Sequence, residues 1–430
     1  MNSIINEKLC IEGAPKVLVA PGAINHLPDL LEDAGIKSVF IFADKNTYGA
    51  AGDTVLEALG GSDIKIKKYI FTAEKVEPNE SFVGLAIMHF DPSVDAVLGI
   101  GSGVINDISK IIANVSGKKY IVVATAPSMD GYASATSSMS VDGLKISLPS
   151  KCAEIIIGDI DILKNAPMKM MLAGLGDMLA KYVAICEWRI SELINGEPFC
   201  DEVAQMVRES LNKCVSNAEG LLRRDPKATE AVFEGLVLCG LAMKLAGTSR
   251  PASGIEHYLS HIWDMRGEEF STHVELHGLQ CAVGTYIAAN MYEKIKNIIP
   301  DREKALSFVK DFDYSKWAEE LKAFLGKGAD AMIALEEKEQ KYDANKHEVR
   351  LNTILEKWNE IVGLINEEIP TVSALTALYD KVNMPKSMTE IGIDESILPM
   401  AFKAAKDIRD KYVLPRLCFD LGVIDDVVIE

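Results

Sequence analysis

From Lys16 to about residue 160 the apolar residues fall into short continuous runs: VLVA at 17–20, SVFIFA at 38–43, KKYIF at 67–71, AVLGI at 96–100 and YIVVATA at 120–126. Between them lie stretches with helical spacing: INHLPDLLEDAG, an amphipathic segment ending near Gly60 and Gly61, SFVGLAIMHF, and a helix rising from Gly103 through Ala113. Strands alternating with helices predict βαβ units and a parallel sheet. Runs that are apolar throughout, rather than alternating, predict a sheet covered on both faces. After Asp130 the pattern changes. ASATSSMSVDGLKISLPS is small and polar and predicts a β-hairpin turning at Asp142-Gly143, and AEIIIGDIDIL predicts one more strand. Asn165 and Pro167 then supply an N-cap and a first-turn proline. Beyond them 202–223, 228–246, 254–263, 274–293, 316–338, 343–366, 371–381 and 397–413 all carry helical periodicity. The expected architecture is an α/β domain with a parallel sheet over 1–160 and an all-α domain over 161–430. The charged run ALEEKEQKYDANKHEVRLNTILEKW is expected to be a solvated helix face, and there is no internal repeat or low-complexity linker.

Composition narrows the partners. At 430 residues two domains are expected. A formal net charge of −18 argues against nucleic acid or an anionic membrane, both of which reward clustered Lys and Arg. An anionic ligand must then be held by local devices such as helix N-termini. The eight cysteines have no pair closer than fourteen residues, which excludes a zinc ribbon and points to a reducing cytoplasm. MNSIINEKLC lacks the form of a signal peptide, and no apolar run approaches a membrane span. A homo-oligomer, most simply a homodimer, is the expected assembly.

Four of the seven histidines lie in SGIEHYLSHIWDMRGEEFSTHVELHGLQCAVGTY. His257 and His261 are four apart, as are His273 and His277, so each pair shares a helix face and two helices could aim imidazoles at one divalent metal. GIGSGVINDISK, 99–110, ends an apolar strand in glycines and opens a helix, a shape that suits either an anion at the helix N-terminus or close packing. It follows the fourth strand, so it is not the GxGxxG of an ordinary dinucleotide fold. Asp44 could accept an adenosine ribose hydroxyl, which would favour NAD, or simply cap its helix. TAPSMDGYASATSS, 125–138, offers either a ligand-binding edge or a solvated loop. In AGLGDMLAKY the carboxylate Asp177 is expected to be buried, and therefore to need a cation: Lys181 as an ion pair, or a metal shared with two histidines.

In this order and at these separations, GIGSGVINDISK, TAPSMDGYAS, GLGDMLAKY, SGIEHYLSH and HGLQCAVGT resemble the glycerol-1-phosphate dehydrogenase family, particularly its bacterial branch associated with arabinose operons. That family sits within the group of iron-containing alcohol dehydrogenases, glycerol dehydrogenases and dehydroquinate synthases. The resemblance implies a Rossmann-like N-terminal domain and a dehydroquinate synthase-like helical domain. It further implies that Asp177, His257 and His277 bind one divalent metal, zinc or nickel with iron possible, and that His261 and Asp130 contact substrate, with Asp177 touching it as well. Gly101, Ser102, Gly103, Val104, Ile105, Asn106 and Asp107 would line the pyrophosphate of NAD or NADP. Thr125, Ala126, Pro127, Ser128 and Ser134 would follow the nicotinamide half, and Asp44 the adenosine ribose. His273 falls outside the pattern and is expected to be structural.

Two departures within the wider group sharpen this. Lys181 stands where iron-type relatives carry a fourth ligand, and Asp177 stands where dehydroquinate synthases carry Glu. The implied activity is NAD(P)H-linked reduction of dihydroxyacetone phosphate to sn-glycerol 1-phosphate and its reverse. The competing expectations are glycerol oxidation to dihydroxyacetone, a dehydroquinate synthase-type lyase and a non-catalytic NAD-binding sensor. Arg250, just before the His257 helix, is a candidate donor to the substrate phosphate.

Overall fold

The computed structural model describes residues 13–141 and 144–428. The chain divides into two compact units, Met1–Met178 with Glu209–Gly247, and Leu179–Arg208 with Thr248–Glu430. This division lies beyond the position near 160 where the strand pattern ends: Phe233, Val237 and Leu241, far along the chain, enter the core on one face of the sheet.

The first unit is built on a six-stranded parallel sheet: β1 (Lys16–Ala20), β2 (Ser38–Asp44), β3 (Lys65–Phe71), β4 (Ala96–Gly101), β5 (Lys119–Ala124) and β8 (Ile155–Asp159), in spatial order β1-β8-β5-β4-β2-β3. Each apolar run feeds both faces. Val39, Ile41 and Ala43 of β2 enter one core, while Phe40 and Phe42 enter the other. Helices α1 (Leu27–Asp33) and α2 (Lys45–Leu59) cover the first core; α3 (Glu80–His89) and α4 (Gly103–Ser116) cover the second. Because α2 and α4 lie on opposite faces, the adjacent strands β2 and β4 send their connections apart, and their C-terminal ends flank a topological switch point. Ligands of open α/β sheets bind in such crevices. The hairpin forms from β6 (Thr136–Val141) and β7 (Leu144–Pro149), antiparallel with Val141 opposite Leu144; its expected Asp142-Gly143 turn lies outside the described residues, as does the N-terminal segment 1–12. Helices α5 (Met168–Leu179) and α8 (Pro226–Ala246) also belong to this unit, apart from the last residue of α5, and α7 (Asp201–Leu221) runs from the second unit into the first.

The second unit is helical. Its main members are α6 (Lys181–Asn195), α9 (Ile255–Phe270), α10 (His277–Ile295), α11 (Arg302–Lys310), α12 (Tyr314–Leu325), α13 (Gly328–Glu339), α14 (Ala344–Glu356), α15 (Trp358–Glu368), α16 (Val372–Val382), α17 (Leu398–Ala405) and α18 (Leu414–Asp420). Two expected long helices are interrupted. The 316–338 stretch breaks at Gly326, whose φ of +57° is left-handed, and 343–366 breaks at Lys357. The charged run parts at Gln340, in the gap between the two expected stretches, and it is not wholly solvated. Glu336 is buried and accepts the Tyr342 N–H at 2.9 Å, and buried His347 bonds the Asp420 carbonyl oxygen at 2.8 Å. The stretch Trp358–Val382 has the length and hydropathy of a membrane span, but it is α15 and α16 meeting at Pro370 rather than one helix.

Candidate active site

At the switch point, β4 ends at Gly101 and α4 begins at Gly103. Ser102 holds the N-cap position without capping: its hydroxyl lies 2.5 Å from that of Ser128 instead. The first backbone N–H groups of α4, those of Gly103, Val104 and Ile105, therefore have no side-chain cap, in contrast to α2, α3 and α14 with Asp44, Asn79 and Asp343. A methyl added at Gly103 would meet only Met129 Cγ, at 3.8 Å, so the backbone is open to a ligand there. Uncapped N–H groups on a fourteen-residue helix with no acidic residue in its first turn suit a phosphate. Asp44 ends β2 beside this point and caps α2, both bonds falling on Oδ1, from Asn46 and Thr47 N–H at 2.8 Å.

The loop after β5 is held from beneath. Thr125 N–H bonds the Gly101 carbonyl at 3.2 Å, and the Tyr132 hydroxyl bonds the Ala126 carbonyl at 2.7 Å. Buried Lys110 donates to the carbonyls of Gly131 and Thr136 and to Ser134 Oγ, at 2.6, 3.0 and 2.9 Å. Burial pushes the Lys110 pKa down, and three acceptors offset that desolvation. Helix α5 comes so close that a Cβ on Gly174 would sit 1.8 Å from the Pro127 carbonyl oxygen. Asp177, one turn on from that glycine, is fully buried, and its Oδ2 accepts the Asp130 backbone N–H at 2.9 Å.

In the second unit, α9 and α10 cross where a Cβ on Gly284 would stand 2.8 Å from the Glu256 carbonyl. This approach brings the rings of His257 and His277 to 5.0 Å between centroids, and that of His261 to 6.0 Å from His277. His257 Nδ1 bonds Glu256 Oε1 at 2.8 Å, and His277 Nδ1 bonds Ser260 Oγ at 2.9 Å. Each Nδ1 is thereby occupied, as in metal-bound imidazoles that coordinate through Nε2. One donor atom from each of His257, His277 and Cys281 falls within 4.8 Å of the others. This donor set fits a divalent transition metal. His273, by contrast, is exposed and lies 3.9 Å from Glu275.

Residues 18–167 match the model of the iron-containing alcohol dehydrogenase family. A glycerol-1-phosphate dehydrogenase [NAD(P)+] of Bacillus velezensis is 31% identical over 62% of this chain and 70% of its own length. The chain belongs to the glycerol-1-phosphate dehydrogenase family. A relative of the same name from Halalkalibacterium halodurans is 28% identical over 91% of this chain and 89% of its own. Among solved structures, a probable glycerol dehydrogenase of Sinorhizobium meliloti aligns with TM-score 0.60 over 97% of this chain and 98% of its own, at 16% identity. At that identity the likeness speaks for the fold.

For this glycerol-1-phosphate dehydrogenase family member, one expectation is corrected. Arg250 is not free to meet a phosphate: it is 1% exposed and bonds both carboxylate oxygens of Glu197, the Ser191 hydroxyl and the Tyr412 carbonyl. Sequence reading also passed over Lys110, Ser260 and Cys281. Lys110 closes a motif already singled out, and Cys281 follows His277 by the same four-residue step that paired the histidines, so that signal was present.

Glu187 organises the start of α9. Its carboxyl accepts the first N–H of α9, from Ile255 at 2.9 Å, and that of α18, from Leu414 at 2.8 Å. Burial, reinforced by Glu256, pushes its pKa up to about 8 from an ordinary 4.5. The unfolded chain releases this proton between those values while the folded chain keeps it, so the contribution is present below pH 4.5 and is lost as pH rises towards 8. Lys411 acts in a higher window. Burial and Arg250 bring its pKa down to about 7 from 10.5, so stability rises again between those values. Glu187→Gln is expected to flatten the first fall and leave the second rise, read as urea midpoints across the pH range.

Proposed function

We propose that this protein is a metal-dependent, NAD(P)H-linked oxidoreductase that interconverts dihydroxyacetone phosphate and sn-glycerol 1-phosphate. The observation that carries this reading is the match to a relative of that activity along 89% of the relative's length. In this reading residues 1–160 serve chiefly the dinucleotide, and residues 161–430 the metal and substrate. Asp177, His257 and His277 hold a divalent metal, zinc or nickel in preference to iron. The burial of Asp177 and the occupied Nδ1 atoms of both histidines support this assignment. A cytoplasmic home belongs to the same reading, in keeping with seven free thiols among the described cysteines.

When bound, a divalent cation polarises a carbonyl or hydroxyl oxygen, and a nicotinamide exchanges hydride with the carbinol carbon. His261, one turn from His257, gives a proton to the ketone oxygen on reduction and takes it back on oxidation. Asp130 orients the substrate from the loop that Asp177 anchors. The N–H groups of Gly103, Val104 and Ile105 face the pyrophosphate, with Gly101, Ser102, Asn106 and Asp107 around it. Thr125, Ala126, Pro127, Ser128 and Ser134 border the nicotinamide. Asp44 reaches an adenosine ribose hydroxyl with Oδ2 while Oδ1 keeps its capping bonds.

The test is NADH oxidation with dihydroxyacetone phosphate, before and after chelation and with zinc or nickel restored. Turnover of dihydroxyacetone with none of its phosphate would favour a glycerol dehydrogenase instead. Asp44→Asn keeps a capping oxygen and removes the charge. It is expected to raise the NADP to NAD preference roughly tenfold, about the weight of one charge interaction, and to cost less than ~1 kcal/mol in stability because Asn caps as well as Asp.

A further inference from the structure

Cys281 lies four residues after His277 on α10, fully buried and on the same helix face. A buried cysteine is ordinarily a small hydrophobe, so position has to decide its role. Its sulfur is 3.5 Å from His277 Nε2 and 3.9 Å from Nδ1. The nearer nitrogen is not the one that the Ser260 hydroxyl holds, which is Nδ1. An ion bound tetrahedrally by sulfur at ~2.3 Å and imidazole nitrogen at ~2.0 Å separates those two donors by roughly 3.5 Å. The thiol therefore already stands one coordination edge from the histidine, in a set that also includes His257.

We infer that Cys281 supplies a thiolate as a further protein ligand of the metal in the substrate-free protein. This rests on the assignment of Asp177, His257 and His277 as ligands. Coordination forms a sulfur–metal bond and releases the thiol proton to solvent, with no change of oxidation state. With four protein ligands, a substrate oxygen would be admitted only if the thiolate gave way or the coordination number rose to five. A soft sulfur ligand selects zinc, nickel or cobalt over magnesium or manganese.

The test uses the full chain, stripped of metal and titrated with cobalt(II). The wild type is expected to take up one equivalent and develop a sulfur-to-cobalt charge-transfer band in the near ultraviolet. Cys281→Ala and Cys281→Ser are expected to keep the visible bands of a nitrogen- and oxygen-bound ion, to lose the sulfur band, and to surrender cobalt to a chelator roughly tenfold faster or more, the scale of weakened metal sites. A wild type that binds one equivalent without a sulfur band overturns the inference even if neither variant folds. A sulfur band that survives in Cys281→Ala overturns it too. His257→Ala separates the two levels of the argument: cobalt uptake equal to wild type there defeats the underlying ligand assignment rather than the role of Cys281.

Discussion

His257→Ala is expected to abolish stoichiometric metal uptake and lower turnover with dihydroxyacetone phosphate by at least ~10³-fold. Polarisation of a substrate oxygen by a bound metal is worth several kcal/mol, and each ~1.4 kcal/mol is a factor of ten in rate. The loss should come through the ligand rather than the fold. His257 lies inside α9 and keeps 6% of its surface, and alanine favours the helix. Metal content by mass spectrometry, turnover and circular dichroism on one preparation check this. Full activity in a variant devoid of metal would remove the metal from the mechanism. Truncation also leaves Glu256 without its imidazole partner, although Glu256 Oε1 keeps the Gly254 N–H at 2.6 Å, so its loop should hold.

Arg250→Met is expected to cost about 2–3 kcal/mol of stability, the scale of losing charged hydrogen bonds from a buried guanidinium to a partly exposed carboxylate. The guanidinium holds Glu197, Ser191 and the Tyr412 carbonyl together. Beside it Lys411 donates to the Ser253 carbonyl and hydroxyl at 3.0 and 2.7 Å. These cations tie the loop before α9 to the segment before α18. The variant should therefore unfold at markedly lower urea, while the KM for the phosphorylated ketone in its folded fraction stays near that of the wild type. A large rise in KM with unchanged stability would restore Arg250 as a phosphate ligand.

The same network explains why the helical remainder of the chain was hard to read. Nothing in the spacing around Glu187 marks it, yet its carboxyl receives N–H groups from residues 68 positions ahead and 227 positions ahead. A buried carboxylate is placed by its partners, and those partners lie far off in sequence. His347 and Glu336 make the same point: set in a charged run, they look solvated until α18 and Tyr342 supply their partners. The parallel sheet was legible for the opposite reason, since its information is local. Five apolar runs separated by helical periods, with a sixth after a hairpin, admit few other arrangements.

The sequence by itself determined the α/β sheet and the helices that follow it, the glycine turn at the end of β4, and the motif order that places the chain in its family. Periodicity and short-range spacing carry the elements and the turn, and the resemblance of the ordered motifs carries the family. Only the tertiary structure decided which groups meet. It gave the Nδ1 atoms of His257 and His277 to Glu256 and Ser260, turned Arg250 from a phosphate candidate into a structural tie, and set the Cys281 sulfur one coordination edge from His277. Side-chain hydrogen bonds and helix crossings are fixed by the packing of elements distant in sequence, and a spacing of four residues cannot say which nitrogen of a histidine its neighbours hold.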